Sequence, residues 1–562
     1  MKRYILLIII LGCSIQMYAQ TAAKDTTLQR MLILEKEYTP TIEEASKINT
    51  LPEIREPQVP QATIEFSNFS TPASFSPEAS QVEVKKFFSD LGSSKKRGYL
   101  RAGVSTFVDI DGDAGYQILN SETDDLSVWY THRSSFGDVK SLQTDENLKM
   151  KLNDNTGALR YSHNFGSSKL FADAKYTYSG FNYFGGGTEG ENLNQINNIF
   201  DANLGLHLKN TLPLDIFLKA NFTHFDQEKS LTPDVKGIKE NILKLDFDVN
   251  KDFDDNKWIG IGGYLRVNSY SIPLDTSKNY GVLALNPYFK TEGDNWKIRL
   301  GASSYLLFNQ SKKIFFTPDI EFLFRPLDNA LLYFSATGEI EDNNNKNLFY
   351  GNRYIAPGTK VEDSYTWLNA TAGFRITLSG VFDMDFYAGY RITEQEHFYD
   401  MSSIKLPRVL PDDFYRDYHT KVFKLGTILK YQYSKIFDMR LKATYYNWNV
   451  DKTGTKYEIL EAWHKPTFES GLTAGFQFQT IPLRADLTYH LETGRKMHDF
   501  DSANSVFIMK SINDVSLMGT YTFNESFSVF ARADNLFNQR YDIWYGYPAQ
   551  GLRLMGGLSV KF

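Results

Sequence analysis

Leu552-Arg553-Leu554-Met555-Gly556-Gly557-Leu558-Ser559-Val560-Lys561-Phe562 alternates almost without a break. Leu552, Leu554, Gly556, Leu558, Val560 and Phe562 fall on one side of an extended chain. Arg553, Met555, Ser559 and Lys561 fall on the other. One such segment alone reads as an ordinary half-buried strand. This one ends flush on an aromatic residue, and its pattern recurs about twenty-two times from Gly98 onward.

The repeats share a chemistry. Leu243, Leu245, Phe247 and Val249 alternate with Lys244, Asp246, Asp248 and Asn250. Phe382, Met384, Phe386, Ala388 and Tyr390 alternate with Asp383, Asp385, Tyr387, Gly389 and Arg391. Leu483, Ala485, Leu487, Tyr489 and Leu491 alternate with Arg484, Asp486, Thr488 and His490. The second face carries full charges, and an Arg or Lys turned to lipid at the bilayer midplane costs about 2–4 kcal/mol. That face must look into a wet or protein-filled interior while the apolar face meets hydrocarbon. Connections alternate too. Short ones such as Asn120–Asp125, Asn164–Ser168, Leu378–Val381 and Tyr433–Ile436 are separated by long ones such as Phe181–Asn197, Glu339–Ser364, Thr393–His419 and Asn449–Pro466. The reading is all-β: a single transmembrane antiparallel β-barrel of about 22 strands over residues 98–562, behind a short irregular N-terminal leader.

The front of the chain agrees. Met1-Lys2-Arg3 is a basic n-region, Tyr4 to Leu11 is almost wholly apolar, and Met17-Tyr18-Ala19-Gln20 offers a cleavage site. Residues 1–19 read as a signal peptide and 20–97 as a periplasmic leader. The apolar run is shorter than the roughly 20 residues a helical span needs. Cys13 is the only cysteine, and Ile10-Leu11-Gly12-Cys13 leaves a lipoprotein cleavage site as an alternative. Aromatics make up 15% of the chain while its mean hydropathy is negative, as alternate greasy positions and aromatic girdles require. With 61 basic and 67 acidic residues, a net charge of −6 and no basic tract, nothing marks a nucleic-acid partner. The expected compartment is the cell outer membrane, with its lipids as surroundings.

Asn535-Leu536-Phe537-Asn538, Tyr541, Gly546-Tyr547-Pro548, Gly551 and the Gly557–Phe562 run resemble the closing region of the TonB-dependent receptors. The resemblance covers residues 98–562 and implies an outer-membrane barrel that passes a nutrient or other solute. It also implies delivery by the barrel-assembly machinery through the Phe562 strand. Those receptors carry a large N-terminal plug and a box gripped by an energising partner. The stretch before Gly98 is Pro-rich (Pro40, Pro52, Pro57, Pro60, Pro72, Pro77) and offers neither. Tyr38–Pro52 resembles a leader found on plugless receptor-like barrels of Bacteroidetes; Met31–Ile42 reads as a docking strand, a strap into the lumen, or a tether.

Catalytic motifs are absent: no Gly-x-Ser-x-Gly, His-Glu-x-x-His, P-loop or cysteine pair, so neither an enzyme nor a cofactor or metal is expected. Asp109-Ile110-Asp111-Gly112-Asp113 opens like a calcium loop but has its glycine at the wrong place, and Asp111-Gly112 reads as the turn of the first hairpin. Gly185-Gly186-Gly187 reads as a flexible loop tip. Alternation puts Asp383, Asp385, Arg391, Asp438, Arg440, Lys442, Arg484, Asp486, Arg532 and Asp534 on the lumen side, as wall-stiffening ion pairs or as path-lining groups. Tyr183, Phe184, Phe349, Tyr350, Tyr354, Phe398, Tyr399, Phe414, Tyr415, Trp544, Tyr545 and Tyr547 cluster in the long loops. Such rings suit sugar stacking, a partner's apolar patch, or the outer girdle. Two functions follow: solute passage, or an accessory scaffold that holds surface lipoproteins or envelope assembly factors.

Overall fold

The computed structural model describes residues 96–185, 193–209, 214–230, 236–271, 279–358, 362–401, 407–409, 419–451, 461–499 and 505–562. The signal-peptide and leader assignments, Phe414 and Tyr415 lie outside these residues.

Twenty-two antiparallel strands form one sheet. The first, Gly98–Ser105, pairs with Ile110–Asn120 on one side and with Arg553–Lys561 on the other, so the sheet closes on itself. Reciprocal backbone bonds between Gly98 and Phe562, at 2.8 and 2.9 Å, finish the seam. Closure leaves no unpaired edge, the condition for carrying a backbone through hydrocarbon. Strands range from 8 residues (Gly98–Ser105, Phe527–Asp534) to 16 (Lys239–Asp254). About 9–11 residues suffice to cross a bilayer as a tilted strand, so the longest strands stand proud of the membrane.

The two faces divide as the alternation requires. Phe386, Leu425, Leu487, Leu517 and Leu554 are exposed, whereas Asp385, Arg391, Thr444, Met518 and Met555 on the alternate face are buried. Large apolar side chains repeated around an entire outer wall match a lipid surround. Among the described residues the one regular α-helix is Asn345–Gly351, inside a long loop, and no helix is long and apolar enough to cross a membrane.

The first hairpin corrects the sequence reading. Asp111 and Gly112 lie in the ladder, opposite Gly103 and Ala102, and the chain reverses over residues 106–109 instead. Asp109 supplies the reason: its buried carboxylate accepts from Ser105 Oγ at 2.8 Å and from Arg553 Nη1 at 2.9 Å. A local Asp-Gly signal is overridden by a charge pair from the other end of the chain.

Candidate functional site

The inward charges pair with partners mostly on other strands. Asp385 is buried and accepts from Arg375 Nη2 and from Tyr333 Oη, both at 2.7 Å. Asp383 takes the Thr377 hydroxyl at 2.5 Å. Arg391, also buried, lies 3.2 Å from Glu341 and 2.5 Å from Glu396. Arg484 bridges Asp438 at 2.6 Å and Asp486 at 2.9 Å, and Lys442 lies 3.4 Å from Glu469. Arg532 contacts Asp534 at 2.9 Å, and Asp534 also accepts from Arg553 at 2.7 Å. Arg440 is exposed, directly opposite Lys430 in the register. Thus most of these charges are engaged with the wall. Their partners Arg375, Glu341 and Glu396 were not singled out in the sequence, whereas Arg553 stands on the polar face of the closing strand.

The loop aromatics are mostly turned inward. Tyr183, Phe184, Phe349, Phe398, Tyr399, Trp544 and Tyr547 are all buried. Only Tyr350 of the described set is exposed; Tyr354 and Tyr545 are half-buried. Most of them pack on one another in two adjoining cores, while Phe398 meets Trp448 and Tyr545 meets Phe507. One joins Phe184, Leu348, Ile355, Tyr399, Trp544 and Tyr547 with Val139 and Leu148; the other joins Phe181, Tyr183, Phe225, Tyr270, Tyr280 and Phe349. Tyr354 belongs to both rims. Its ring stacks on Tyr547 at 4.2 Å, Phe184 meets Tyr547 edge-on at 5.1 Å, and Tyr399 meets Trp544 at 4.9 Å. Each such ring hides about 150–250 Å² when buried, which explains why loops rich in them fold together rather than display them. Gly185 is part of this contact: a Cβ there would run into the Gly546 carbonyl and the Tyr547 ring, so it is a packed position rather than a free tip.

Two histidines sit in the cap, His464 buried and His397 half-buried. His464 Nδ1 bonds the Tyr399 carbonyl at 3.1 Å, and its ring lies 5.0 Å from Trp544. Burial, helped by the nearby Arg495 guanidinium, pushes its pKa down to about 3. His397 Nε2 bonds the Glu362 carbonyl at 2.8 Å, and burial lowers it to about 4. The cap is therefore built for neutral imidazoles.

No protein-family model and no curated protein matches the chain. Solved structures do. The FrpB iron transporter from Neisseria meningitidis (F3-3 variant) is 12% identical over 84% of this chain and 82% of its own, with a TM-score of 0.65. The siderophore receptor PirA from Acinetobacter baumannii is 9% identical over 83% and 80%, with a TM-score of 0.64. The ferric-catecholate import receptor Fiu from E. coli K12 is 9% identical over 83% and 82%, with a TM-score of 0.59. The class defined by closure and the lipid-facing wall is the large transmembrane β-barrel. Its fold is that of these receptors and transporters.

Proposed function

We propose that this barrel passes a nutrient or other solute across the outer membrane, through a lumen shut at its long-loop end by the packed aromatic cap. The observation that carries the reading is the closed 22-strand wall, which matches barrels described as an iron transporter, a siderophore receptor and an import receptor over four-fifths of its length. An inner wall of paired charges suits a polar passenger better than an apolar one, because an apolar solute gains nothing from displacing water there. On this reading residues 1–19 direct export, residues 20–97 form a periplasmic leader, and the Phe562 strand engages the assembly machinery. The scaffold alternative needs loop surface for lipoproteins or assembly factors. The aromatic residues expected to supply it are mostly turned into the cap.

A chromosomal deletion tested for uptake of iron chelates, vitamins and oligosaccharides decides between the two. Loss of one uptake, restored by the intact chain, supports passage. Unchanged uptake together with stoichiometric co-purification of an envelope lipoprotein points to the scaffold.

A further inference from the structure

Two neighbouring strands, His419–Tyr433 and Phe437–Val450, carry a run of cations on the lumen face. Alternation turns Phe423, Leu425 and Tyr445 to the lipid, where they are exposed, and so puts Lys424, Lys430, Arg440 and Lys442 inside. Lys430 stands directly opposite Arg440, and Lys442 opposite Ile428 one step further in. Lys424 follows on the same face, so the strip runs about 20 Å along the wall from its short-turn end. The Lys424 stem crosses Gly389 on the adjacent strand, where a Cβ would run into its methylenes.

What sets these cations apart is their want of acids. Elsewhere on the inner wall Arg299, Arg375, Arg484 and Arg532 each lie within hydrogen-bond distance of a carboxylate. Among the described residues Lys424, Lys430 and Arg440 form no ion pair, and Lys442 meets only Glu469, at 3.4 Å and half exposed. The acids close by are already committed. Asp383, across from Lys430, takes the Thr377 hydroxyl, Asp438 holds Arg484, and Glu469 takes the Tyr446 hydroxyl at 2.7 Å. Like charges directly opposite each other on paired strands destabilise a sheet. A wall that pairs its charges elsewhere and faces two cations at each other here is left with an unmet attraction for an anion, which low-dielectric walls focus.

We propose that Lys424, Lys430, Arg440 and Lys442 form an anion-binding strip on the lumen wall, and that the passenger is a multiply charged oxyanion, phosphorylated or rich in carboxylates. The identity of the passenger rests on the passage reading; the strip rests on the wall alone. Lys430 and Arg440, both exposed, set a point charge beside a planar fork of donors. An oxyanion held between them replaces their repulsion with charge-assisted hydrogen bonds. Lys442 and Lys424 offer the next contacts along the wall.

The test uses the full-length protein in detergent, with the fluorescent anion pyrenetetrasulfonate as the probe and anisotropy as the readout. The unaltered chain should bind it saturably, and more weakly as salt rises. Lys430→Gln with Arg440→Gln should weaken binding by about tenfold or more, the loss expected for a charged hydrogen bond. Lys430→Arg with Arg440→Lys keeps both charges and should restore it. Lys140→Gln with Lys257→Gln removes two cations from ion pairs outside the strip and should leave binding unchanged. Citrate and tripolyphosphate then compete for the probe, and the stronger competitor tells carboxylate from phosphate preference. Displacement by neither marks the dye as a ring ligand and overturns the strip. So does absent binding, or equal binding in the unaltered chain and Lys430→Gln with Arg440→Gln. Because that variant removes a repulsion, it should melt no lower than the unaltered chain; a lower melting point, or loss of heat-modifiable migration, makes the two cations structural and overturns the proposal as well. Uptake is scored separately in cells carrying the deletion: a strip that binds these anions while the deletion changes no uptake stands as a site and removes the passage reading.

Discussion

Arg484 donates to Asp438 at 2.6 Å from two strands away, passing over Gly475 on the strand between them. A Cβ on Gly475 would coincide with the Arg484 guanidinium, so the missing side chain is what opens the route. Gly475→Val should push Arg484 off Asp438 and force local repacking, at a cost of about 1–3 kcal/mol. Gly519, where a Cβ meets open space, is the control, and Gly519→Ala should be nearly neutral. Urea unfolding in detergent, followed by tryptophan fluorescence, gives both values; equal costs for the two changes would remove the proposed role of Gly475.

The wall makes a second, directional prediction. Leu245 is exposed to the lipid side near the middle of Lys239–Asp254, and its neighbours Lys244 and Asp246 form an ion pair at 2.9 Å on the other face. Leu245→Arg should cost about 2–4 kcal/mol, the penalty for a cation at midplane depth. Lys244→Ala removes only a half-exposed pair and should cost at most about 1 kcal/mol. Refolding yields into lipid vesicles rank the two. A better tolerated Leu245→Arg would place that face on the lumen instead.

The cap supplies a third. Tyr547 is fully buried and touches both Phe184 and Tyr354. Tyr547→Ala should destabilise the loop core by about 3–5 kcal/mol, as large aromatic deletions in packed cores do. The barrel, held by its own ladder, should keep its melting behaviour. Limited proteolysis should then cut the long loops readily while leaving a heat-modifiable barrel; cleavage no faster than in the unaltered chain would mean that the rings do not hold the cap.

The barrel was legible because alternation is a local signal: each strand declares its two faces without reference to any other. Leu558, Leu517 and Phe386 needed no partner to be placed. The cap was not legible for the same reason. Tyr354 and Tyr547 lie almost two hundred residues apart in sequence, and neither loop has a period that says which ring turns inward. Their aromatic content was visible, but its burial depends on loops from distant strands reaching one another. The first turn failed in the same way, since Asp109 is fixed by Arg553. Charge pairs were anticipated in kind, yet Arg391 finds Glu396 in a loop and Glu341 on a strand two positions away, contacts that strand alternation cannot specify.

Acid should weaken the part of the cap that rests on its two neutral imidazoles. His464 offers Nδ1–H to the Tyr399 carbonyl and receives the Tyr545 N–H on Nε2 at 3.5 Å, a pattern only the neutral ring satisfies. Its folded pKa, pushed down to about 3 by burial and by Arg495 and Lys465, lies below the ordinary 6.5, and His397 follows at about 4. A base lowered in this way contributes stability that is complete above about pH 6.5 and lost as pH falls towards the folded value. Asp363 acts oppositely: burial raises it from 3.8 to about 6, so its contribution is complete below 3.8 and lost as pH rises through 6. Glu240 and Asp542, also raised by burial, act in the same sense as Asp363, so the imidazole contribution is read as the difference between the unaltered chain and a His464 variant. Amide hydrogen exchange in the 461–467 segment, corrected for intrinsic rates, should lose more protection between pH 7 and pH 4.5 in the unaltered chain than in His464→Gln, which keeps a donor and an acceptor but cannot titrate. An unchanged difference in His464→Gln would transfer the effect to His397.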